Sequence, residues 1–381
     1  MDRYKQKNGR AMRLRNRIFA AILAILTLGI LSFAVALSYE SPCVEPEALP
    51  PGRDRMKGVV RRCYGTADVL KIEEIERPEV ASNELMVKVR AAAVNPLDYH
   101  YMTGKPYVMR LSTGLGTPDR QRLGVDFSGT VEAVGNNVTR FKPGDEILGT
   151  RSGALAEYIT VPEDGSITHK PANLTFDQAA AIPIAAVTAL QGLRDKGRIQ
   201  PGQKVLINGA SGGVGTFAVQ LAKSFGAEVT GVCSTRNVEL VRSLGANHVI
   251  DYTRENFTDS AERYDLILDN VGNHPLLAVK RVLKPQGLVV IVGGPKSNRW
   301  IGPLGRSARA MMLNPFIDEK FVVFMASVNQ ADLGTLAKLA REGKLTPVID
   351  RHYALDETAE AIRYLEQGRA RGKVIVTIGG R

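Results

Sequence analysis

The pattern of hydrophobic positions divides the chain into three stretches. The first is a predominantly apolar run from Ile18 to Ser38 without any charged residue. From Met56, short runs with partial apolar alternation, such as MKGVVRRC and ELMVKVRAAAV, are separated by turn residues and predict an antiparallel, mostly β unit. Beyond Phe176, β-branched apolar runs alternate with helical stretches, which is the pattern of a parallel sheet wound on both faces.

Six apolar runs predict the strands of this parallel sheet: KVLING, EVTGVC, HVI, DLILDN, LVVIVGG and KFVVFMAS. The stretch after the first of them predicts an amphipathic helix, because its apolar residues recur at helical spacing. Those residues are Val214, Phe217, Ala218, Leu221, Ala222 and Phe225. The sequence therefore predicts an α/β fold with a doubly wound parallel sheet, preceded by a smaller β domain.

The apolar run over residues 18–38 predicts one transmembrane helix. At about 1.5 Å per residue it reaches roughly 30 Å, the thickness of the hydrocarbon core of a bilayer. A cleaved secretory signal is the alternative, because Ala34 to Ala36 offer a small-x-small site, but the length of the run favours an anchor. Residues 1–17 then form a basic tail and residues 39–55, rich in Pro and Glu, form a linker.

The distribution of charge argues against a nucleic-acid partner. The net charge is +11, but residues 1–17 carry seven basic side chains and one acidic side chain, so +6 belongs to the tail. The positive-inside rule keeps this tail cytoplasmic and places the catalytic part outside. This rule alone does not decide the side of the membrane, which stays open. Three distant cysteines predict neither a disulfide framework nor a cysteine-rich zinc site.

A glycine-rich turn between the first predicted strand and the amphipathic helix predicts dinucleotide binding. Gly209, Gly212 and Gly215 are spaced G-x-x-G-x-x-G. Bare backbone lets a pyrophosphate approach, and the N–H groups of the helix N-terminus bind it. The predicted phosphate-binding residues are Gly209, Ala210, Gly212, Gly213, Val214 and Gly215.

The end of the second predicted strand favours NADPH over NADH. It reads Ser234, Thr235, Arg236, and no carboxylate follows until Glu239. Hydroxyl groups and a guanidinium suit a 2′-phosphate, whereas NAD sites usually offer an acid that holds the ribose hydroxyls. The alternative is that Arg236 simply lies at the N-terminus of the next helix. Tyr252 is a further predicted contact on the adenosine side.

Several motifs together resemble the medium-chain dehydrogenase/reductase superfamily, and within it the zinc-free quinone oxidoreductase branch. They are AAAVNPLD, GVDFSGTVEAVG, PGQKVLINGASGGVG, GANHVIDY, LDNVG and GRARGKVIVTI. The resemblance covers residues 56–381 and implies a GroES-like catalytic domain over 56–185, an NADPH-binding Rossmann domain over 186–342, and a return of 343–381 to the catalytic domain. It also leaves a homodimer open.

Comparison with the zinc-using branch implies that this chain binds no metal. That branch has a cysteine where Asn95 stands, a histidine where Val125 follows Gly124, and a third ligand near Ile184. The residues present are not a zinc ligand set. Without a Lewis acid, hydride addition is easiest on acceptors that delocalise their own negative charge. We therefore expect reduction of quinones or α,β-unsaturated carbonyl compounds.

The predicted catalytic residues lie together in one stretch: Asn95, Tyr99, His100 and Tyr101. Asn95 resembles the family asparagine that orients a carbonyl. His100 matches the proton-relay histidine of the zinc branch by spacing, but Leu97 replaces the hydroxyl residue that would connect it. A histidine packed at the edge of the domain is an equally weighted interpretation.

Further cofactor contacts follow from the resemblance and from strand ends. Thr188 resembles a helix residue that lines the nicotinamide site. Asn270, Val271 and Gly293 follow predicted strands at the crevice where a doubly wound sheet binds its ligand. Lys373 is a candidate for a phosphate contact, with a solvated surface lysine as the alternative.

Residues 295–316 have an unusual composition, with Lys296, Arg299, Arg306, Arg309 and Trp300 and no acid. In a tethered enzyme this segment could rest on lipid headgroups, although a subunit contact or a loop covering the substrate is favoured. Two other functions stay open. One is a membrane-tethered NADPH-binding sensor or scaffold with little catalysis, and the other is an NADP-dependent alcohol dehydrogenase.

Overall fold

The computed structural model describes the backbone of residues 2–46, 49–295 and 298–379, and side chains from residue 15 onward within those ranges. The helices are α1 Asp2–Ser38, α2 Pro96–Thr103, α3 Arg110–Thr113, α4 Phe176–Ala180, α5 Pro183–Gln191, α6 Gly213–Ser224, α7 Val238–Ser243, α8 Leu276–Lys280, α9 Leu304–Leu313, α10 Gln330–Arg341 and α11 Thr358–Glu366. The first seven strands are β1 Arg55–Val60, β2 Lys71–Glu76, β3 Glu84–Val94, β4 Asp126–Val134, β5 Glu146–Thr150, β6 Tyr158–Pro162 and β7 Ile167–His169. The others are β8 Lys204–Asn208, β9 Glu228–Cys233, β10 His248–Asp251, β11 Tyr264–Asp269, β12 Leu283–Ile291, β13 Lys320–Val323, β14 Ile349–Ala354 and β15 Lys373–Thr377.

The nucleotide domain is a six-stranded sheet with the order β10-β9-β8-β11-β12-β13, and every neighbouring pair is parallel. All six predicted runs are strands of this sheet. The predicted helix face of α6 is confirmed, because Phe217, Ala218, Leu221 and Ala222 are fully buried in the core. The order reverses between β8 and β11, which are adjacent, so a crevice for a ligand opens above their carboxyl ends.

The catalytic domain is built on a seven-stranded sheet with the order β14-β15-β3-β4-β5-β7, in which β6 also pairs with β3. Nearly all of its pairs are antiparallel. Strand β3 is central and carries apolar residues on both faces. Its Val87, Val89 and Ala92 pack in the main core of the domain, and Ala91 and Ala93 pack against the other side with α4.

The chain returns to the catalytic domain after the nucleotide domain. Strand β15 pairs antiparallel with β3 and parallel with β14, so it lies inside the sheet. Its burial pattern is almost continuous, as expected for a strand covered on both faces.

Helix α1 spans Asp2–Ser38 and continues through the predicted basic tail. Its segment Arg15–Ser38 has a hydropathy of 2.7, and its most apolar part is not buried against the rest of the molecule. By length and composition this segment is a candidate membrane span, and a signal sequence near the N-terminus passes the same test.

The first part of the predicted linker is packed, which differs from the prediction for residues 39–55. Ser41 donates a backbone hydrogen bond to the carbonyl of Gly116 (3.1 Å), and Glu40 forms a β-bridge with the same glycine. The physical reason is a buried guanidinium. The Nη1 of Arg110 donates to the carbonyl oxygens of Leu37 (3.1 Å) and Tyr39 (2.9 Å).

The cysteines also differ from the prediction. Cys43 and Cys63 form a disulfide with their Cα atoms 4.7 Å apart, whereas Cys233 is a buried free thiol. The pairing follows from the packing of the linker, which brings Cys43 against the segment after β1. Their sequence separation of 20 residues matches no common motif, so the sequence did not indicate it.

Candidate active site

A pocket of ≈ 210 Å³ lies between the two domains. One wall is formed by Tyr99, His100, Lys105 and Pro106, at the end of α2 and just after it. The opposite wall belongs to the loop after β12, with Asn298, Arg299, Gly302 and Pro303. A larger cavity of ≈ 330 Å³ lies beside β1 and β2, away from the glycine turn, and contains none of the predicted site residues.

His100 and Tyr99 are brought together in this pocket, with ring centroids 5.6 Å apart. Nδ1 of His100 lies 2.7 Å from the carbonyl oxygen of Lys105. A carbonyl only accepts hydrogen bonds, so the neutral ring carries its proton on Nδ1, and Nε2 is the nitrogen that gains a proton when the ring becomes charged. Burial raises the pKa of the Tyr99 hydroxyl, with a smaller contribution from the neighbouring carboxylate of Glu366.

The other two predicted catalytic residues lie elsewhere. Tyr101 is half-buried and packs against the core of the catalytic domain, outside the pocket lining. Asn95 is buried at the start of α2 and is not among the residues that line the pocket. Its Nδ2 donates to the carbonyl oxygen of Ala93 (3.2 Å) and to Oδ2 of Asp126 (3.0 Å). The amide is therefore held by protein groups on its donor side.

Lys373 completes a buried polar cluster with Asn95 and Asp126. Its Nζ donates to Oδ1 of Asn95 and lies 3.3 Å from Oδ2 of Asp126. The Lys373 and Asp126 side chains are 3% and 0% exposed, so this ion pair is removed from water. Lys373 is therefore not a solvated surface lysine. Its stem passes the glycine turn, since a Cβ at Gly213 would lie 3.3 Å from Cδ of Lys373.

The three positions of the zinc-using branch do converge in this fold. Asp126 follows Val125, its Oδ2 accepts from Asn95, and its Oδ1 accepts from the backbone N–H of Ile184 (3.1 Å). An amide, an aliphatic side chain and a backbone N–H at these positions do not fit zinc, and the ammonium of Lys373 bonds at the same centre. Within the described ranges, no group of three or more His, Cys, Asp or Glu side chains could hold a metal ion.

A second buried carboxylate lies beside the cluster. Oδ2 of Asp98 accepts from the backbone N–H of Asn95 (2.8 Å), while its buried Oδ1 accepts no hydrogen bond from the described residues. Burial, with a smaller contribution from the negative charge of Asp126, raises the pKa of Asp98 to about 7, although the hydrogen bond from Asn95 and the charge of Lys373 act in the opposite direction. Burial also raises the pKa of Asp126, although Lys373 and Asn95 favour its charged form.

The glycine turn has the geometry of a phosphate site. It joins β8 to α6, with Gly209 at φ +81° and Gly212 as the residue preceding the helix. A Cβ at Gly215 would lie 2.0 Å from the carbonyl oxygen of Gly209, so only glycine permits this close packing of turn and helix. The first N–H groups of α6 at Gly213 and Val214 stand at the turn, where they can bind a pyrophosphate.

The predicted adenosine-side residues lie at the carboxyl ends of β9 and β10. Thr235 Oγ1 donates to Oδ2 of Asp251 (2.6 Å), and Arg236 lies on the surface, where it donates to the carbonyl oxygen of Arg369. Tyr252 is exposed beside them. Asn237 donates to the hydroxyl oxygens of Ser211 (3.0 Å) and Ser234 (3.2 Å) and thereby connects this region to the glycine turn.

Two buried acceptors fit a nucleotide ligand. The Oδ1 atoms of Asn237 and Asn270 are buried and accept no hydrogen bond from the described residues. Asn237 lies after β9 and Asn270 lies after β11, on the crevice side of the sheet. Ribose hydroxyls and a carboxamide are donors of the kind that these oxygens lack.

The remaining predicted cofactor residues stand around the same crevice. A Cβ at Gly293 would lie 2.0 Å from the carbonyl oxygen of Asn270, so this glycine lets the two strand ends meet. Val271 is 41% exposed beside them. Thr188 is buried in α5, where its Oγ1 donates to the carbonyl oxygen of Ile184 (2.7 Å). The structure thus links Thr188 to the polar cluster through Ile184.

Sequence reasoning missed several residues of the site. Lys105 and Asn298 line the pocket, but no motif marks them, whereas Arg299 belongs to the basic segment that the sequence singled out. Arg306, which the sequence grouped with surface cations, is instead buried in an ion pair with Asp269 (2.7 Å). This corrects the picture of residues 295–316 as a uniformly exposed basic segment. Lys296 lies outside the described residues.

Comparison with known proteins agrees with this architecture. Residues 81–172 match the alcohol dehydrogenase GroES-like domain and residues 244–376 match a zinc-binding dehydrogenase domain. The chain is 34% identical to a 2-methylene-furan-3-one reductase of Solanum lycopersicum, over 91% of this chain and 85% of that protein. It is 36% identical to a chloroplastic NADPH-dependent alkenal/one oxidoreductase of Arabidopsis thaliana, over 84% of this chain and 79% of that protein.

A solved structure shows the same fold. The quinone oxidoreductase from Coxiella burnetii is 31% identical and superposes with a TM-score of 0.75, over 86% of this chain and 100% of that chain. The chain therefore belongs to the medium-chain dehydrogenase/reductase superfamily, with a GroES-like domain and a Rossmann-type parallel sheet. It is an enzyme of that type, an oxidoreductase that uses a nicotinamide cofactor.

Proposed function

We propose that the protein reduces quinones or α,β-unsaturated carbonyl compounds with NADPH and without zinc. The observation that carries the proposal is the cluster of Lys373, Asn95 and Asp126 at the centre where the zinc-using branch binds its metal. An ammonium bound there leaves no ligand set for a Lewis acid. Two relatives, named as a 2-methylene-furan-3-one reductase and an alkenal/one oxidoreductase, support the same class of reaction.

The nucleotide domain would hold NADPH along the carboxyl ends of its strands. Gly209 and the N-terminus of α6 would bind the pyrophosphate, and Ser234 and Arg236 would bind the 2′-phosphate, while the hydroxyl of Thr235 is engaged by Asp251. The Oδ1 atoms of Asn237 and Asn270 would accept from the nucleotide. When bound, the reduced nicotinamide supplies a hydride.

The pocket residues would orient the acceptor and move the proton. A quinone or enone that receives hydride becomes a hydroquinone anion or an enolate, which hydrogen-bond donors stabilise. Tyr99 and His100 line the pocket, and the bond from Nδ1 of His100 to Lys105 fixes the ring so that Nε2 is the proton-exchanging atom. Asn95, whose carbonyl oxygen is held by Lys373, is a positioning residue in this scheme.

We further propose that α1 anchors the enzyme in a membrane through residues 18–38. The exposed apolar surface and length of Arg15–Ser38 support an anchor. The positive-inside rule and the Cys43–Cys63 pair both favour a catalytic domain outside the cytoplasm. A homodimer remains a prediction.

The test is turnover by the purified full-length protein. We expect the absorbance of the reduced nicotinamide to fall when short-chain quinones or enones are added. We expect kcat/KM to be higher with NADPH than with NADH. A zinc chelator should have no effect on turnover. Cofactor binding without turnover on any acceptor would support a sensor or scaffold. Oxidation of simple alcohols that is abolished by the chelator would support an alcohol dehydrogenase and would overturn the proposal.

A further inference from the structure

The end of α1 is fixed to the catalytic domain by a strap, defined here as residues 37–43. Arg110 is completely buried, and its guanidinium binds two strap carbonyl oxygens and Oε1 of Glu40 (2.7 Å). The same guanidinium donates to the carbonyl oxygens of Gly104 (2.9 Å) and Thr103 (3.3 Å), at the end of α2. The disulfide of Cys43 is a second, independent tie. The helix end and the pocket-bearing α2 are therefore held by one side chain.

Five exposed apolar or aromatic side chains are together called the collar. They are Tyr39 of the strap, Leu111 and Leu115 just after Arg110, and Trp300 and Ile301 of the pocket loop. They are between 43% and 58% exposed. Large exposed apolar groups that stand together mark an interaction surface.

Contacts between the segments that carry the collar place these segments beside one another. A Cβ at Gly116, next to Leu115, would lie 3.4 Å from the ring of Tyr39. The ring of Trp300 packs edge-on against that of Tyr107 at 5.1 Å, and the guanidinium of Arg110 stacks on Tyr107 at 4.7 Å. The backbone N–H of Val108 donates to the carbonyl oxygen of Trp300 (3.1 Å).

The position of the collar at the end of the candidate span identifies its occupant as the bilayer. The span ends at Ser38, and Tyr39 is the next residue. Because the strap is packed and not extended, the domain has no free tether to move away from the membrane surface. Tyr and Trp are the residues enriched at the boundary between hydrocarbon and headgroups, where an aromatic ring has an apolar body and a polar edge.

The pocket opens beside the collar. Trp300 and Ile301 lie between Arg299 and Gly302, and both of those residues line the pocket. A Cβ at Gly302 would lie 3.0 Å from Pro106, so this loop packs directly on the opposite wall. We propose that the collar is immersed in the interfacial region of the bilayer and that the pocket takes an acceptor bearing an isoprenoid or alkyl chain from the lipid phase. The acceptor part of this statement rests on the proposed function.

Trp300 is the only tryptophan in the chain, so its fluorescence tests the immersion directly. The full-length protein is reconstituted in phosphatidylcholine vesicles with and without bromine on the acyl chains. We expect brominated lipid to quench Trp300. The double variant Leu111→Glu with Leu115→Glu should lose most of this quenching, because it places charges at the interface.

The matched control is Leu277→Glu in α8, where Leu277 is as exposed as Leu115, at 58%, and lies in the nucleotide domain. It should leave the quenching unchanged. Absence of quenching in the unchanged protein would overturn the inference. The inference would also be overturned if Trp300 were shielded from aqueous iodide but not quenched by brominated lipid. That result would assign the collar to a second copy of the chain or to another protein.

Kinetics test the acceptor class separately. With a short-chain quinone and a prenylated quinone in the same vesicles, the double Glu variant should raise KM for the prenylated acceptor by about tenfold, which is ~1.4 kcal/mol. KM for the short-chain acceptor should not change. Equal effects on both acceptors would overturn the lipid route. Failure of all acceptors would overturn the proposed function and leave the fluorescence result standing.

Discussion

At the scale of single residues, the site contains two buried carboxylates, of which only one is paired with an ammonium. Asp126 is paired with Lys373 and hydrogen-bonded by Asn95, whereas Asp98 has one carboxylate oxygen without a hydrogen bond from the described residues. A charged Asp98 is therefore disfavoured, and its pKa rises to about 7. The difference in the pKa of Asp98 between the folded and the unfolded chain makes the stability of the protein depend on pH.

The pH dependence of stability should carry the signature of Asp98. The folded protein holds this proton up to about pH 7, whereas the unfolded chain releases it near 3.8, so stability falls as pH rises through that interval. Asp98→Asn keeps an oxygen that can accept from the N–H of Asn95 and removes the charge. We expect the variant to show a flatter change of Tm with pH than the unchanged protein.

The control for this measurement is Asp164→Asn, because Asp164 is an exposed carboxylate in the same domain. Its Tm profile should follow that of the unchanged protein. If Asp98→Asn and Asp164→Asn give the same profile, Asp98 is not the group that holds the proton.

The polar cluster could not be predicted from the sequence at this scale. Lys373 and Asp126 are 247 positions apart, and only the return of β15 beside β3 brings them together. The sequence did mark Asn95 and the neighbouring zinc positions, because their identities depart from the metal-binding pattern. Arg110 gave no signal, since a single arginine is normally interpreted as solvated.

At the scale of elements, the parallel sheet and the glycine turn were predictable because local patterns determine them. Apolar runs of β-branched residues and the spacing of Gly209, Gly212 and Gly215 are visible in the sequence without knowledge of long-range contacts. The end of β9 is a different case, because its ligand preference depends on groups contributed by β10. Asp251 accepts from Thr235 and holds that hydroxyl on the protein side.

Arg236 should decide the choice between the two nicotinamide cofactors. Arg236→Ala removes the cation from the end of β9, and a charge-assisted hydrogen bond contributes about 1.5–3 kcal/mol. We expect kcat/KM for NADPH to fall by roughly tenfold or more while kcat/KM for NADH is unchanged. The measurement is steady-state kinetics with each cofactor at a fixed concentration of the same acceptor.

Arg242→Ala is the matched control, because Arg242 is an exposed arginine on α7 whose partner is Glu239. It should alter neither cofactor's kinetics. A parallel loss with NADPH and NADH in Arg236→Ala would mean that this guanidinium supports the fold of the β9 end and does not distinguish the cofactors.

At the scale of the whole molecule, the strap makes the candidate anchor and the catalytic domain one unit. Arg110→Ala would leave the carbonyl oxygens of Leu37 and Tyr39 without their donor, and a buried polar group left without its hydrogen bond costs about 1–3 kcal/mol. We expect a lower Tm and faster amide hydrogen exchange at residues 37–43. Glu40→Gln keeps an acceptor at the partly exposed end of the pair and should have a much smaller effect.

Unchanged exchange at residues 37–43 in Arg110→Ala would show that the disulfide alone holds the strap. Reduction of Cys43–Cys63 in the same variant should raise exchange at these residues further, because it removes the second tie.

The position of β15 determines when this protein can finish folding. The ribosome makes β3 and β4 early, but the place between β3 and β14 is filled by Lys373–Thr377, after the whole nucleotide domain has been synthesised. Until then the edge of β3 at Ala91–Val94 is uncovered, although β6 already pairs with its first part, and Asp126 lacks its ammonium. The nascent catalytic domain therefore keeps an open stretch of sheet edge until translation is nearly complete, and an unpaired strand edge of this kind is prone to pair with other chains.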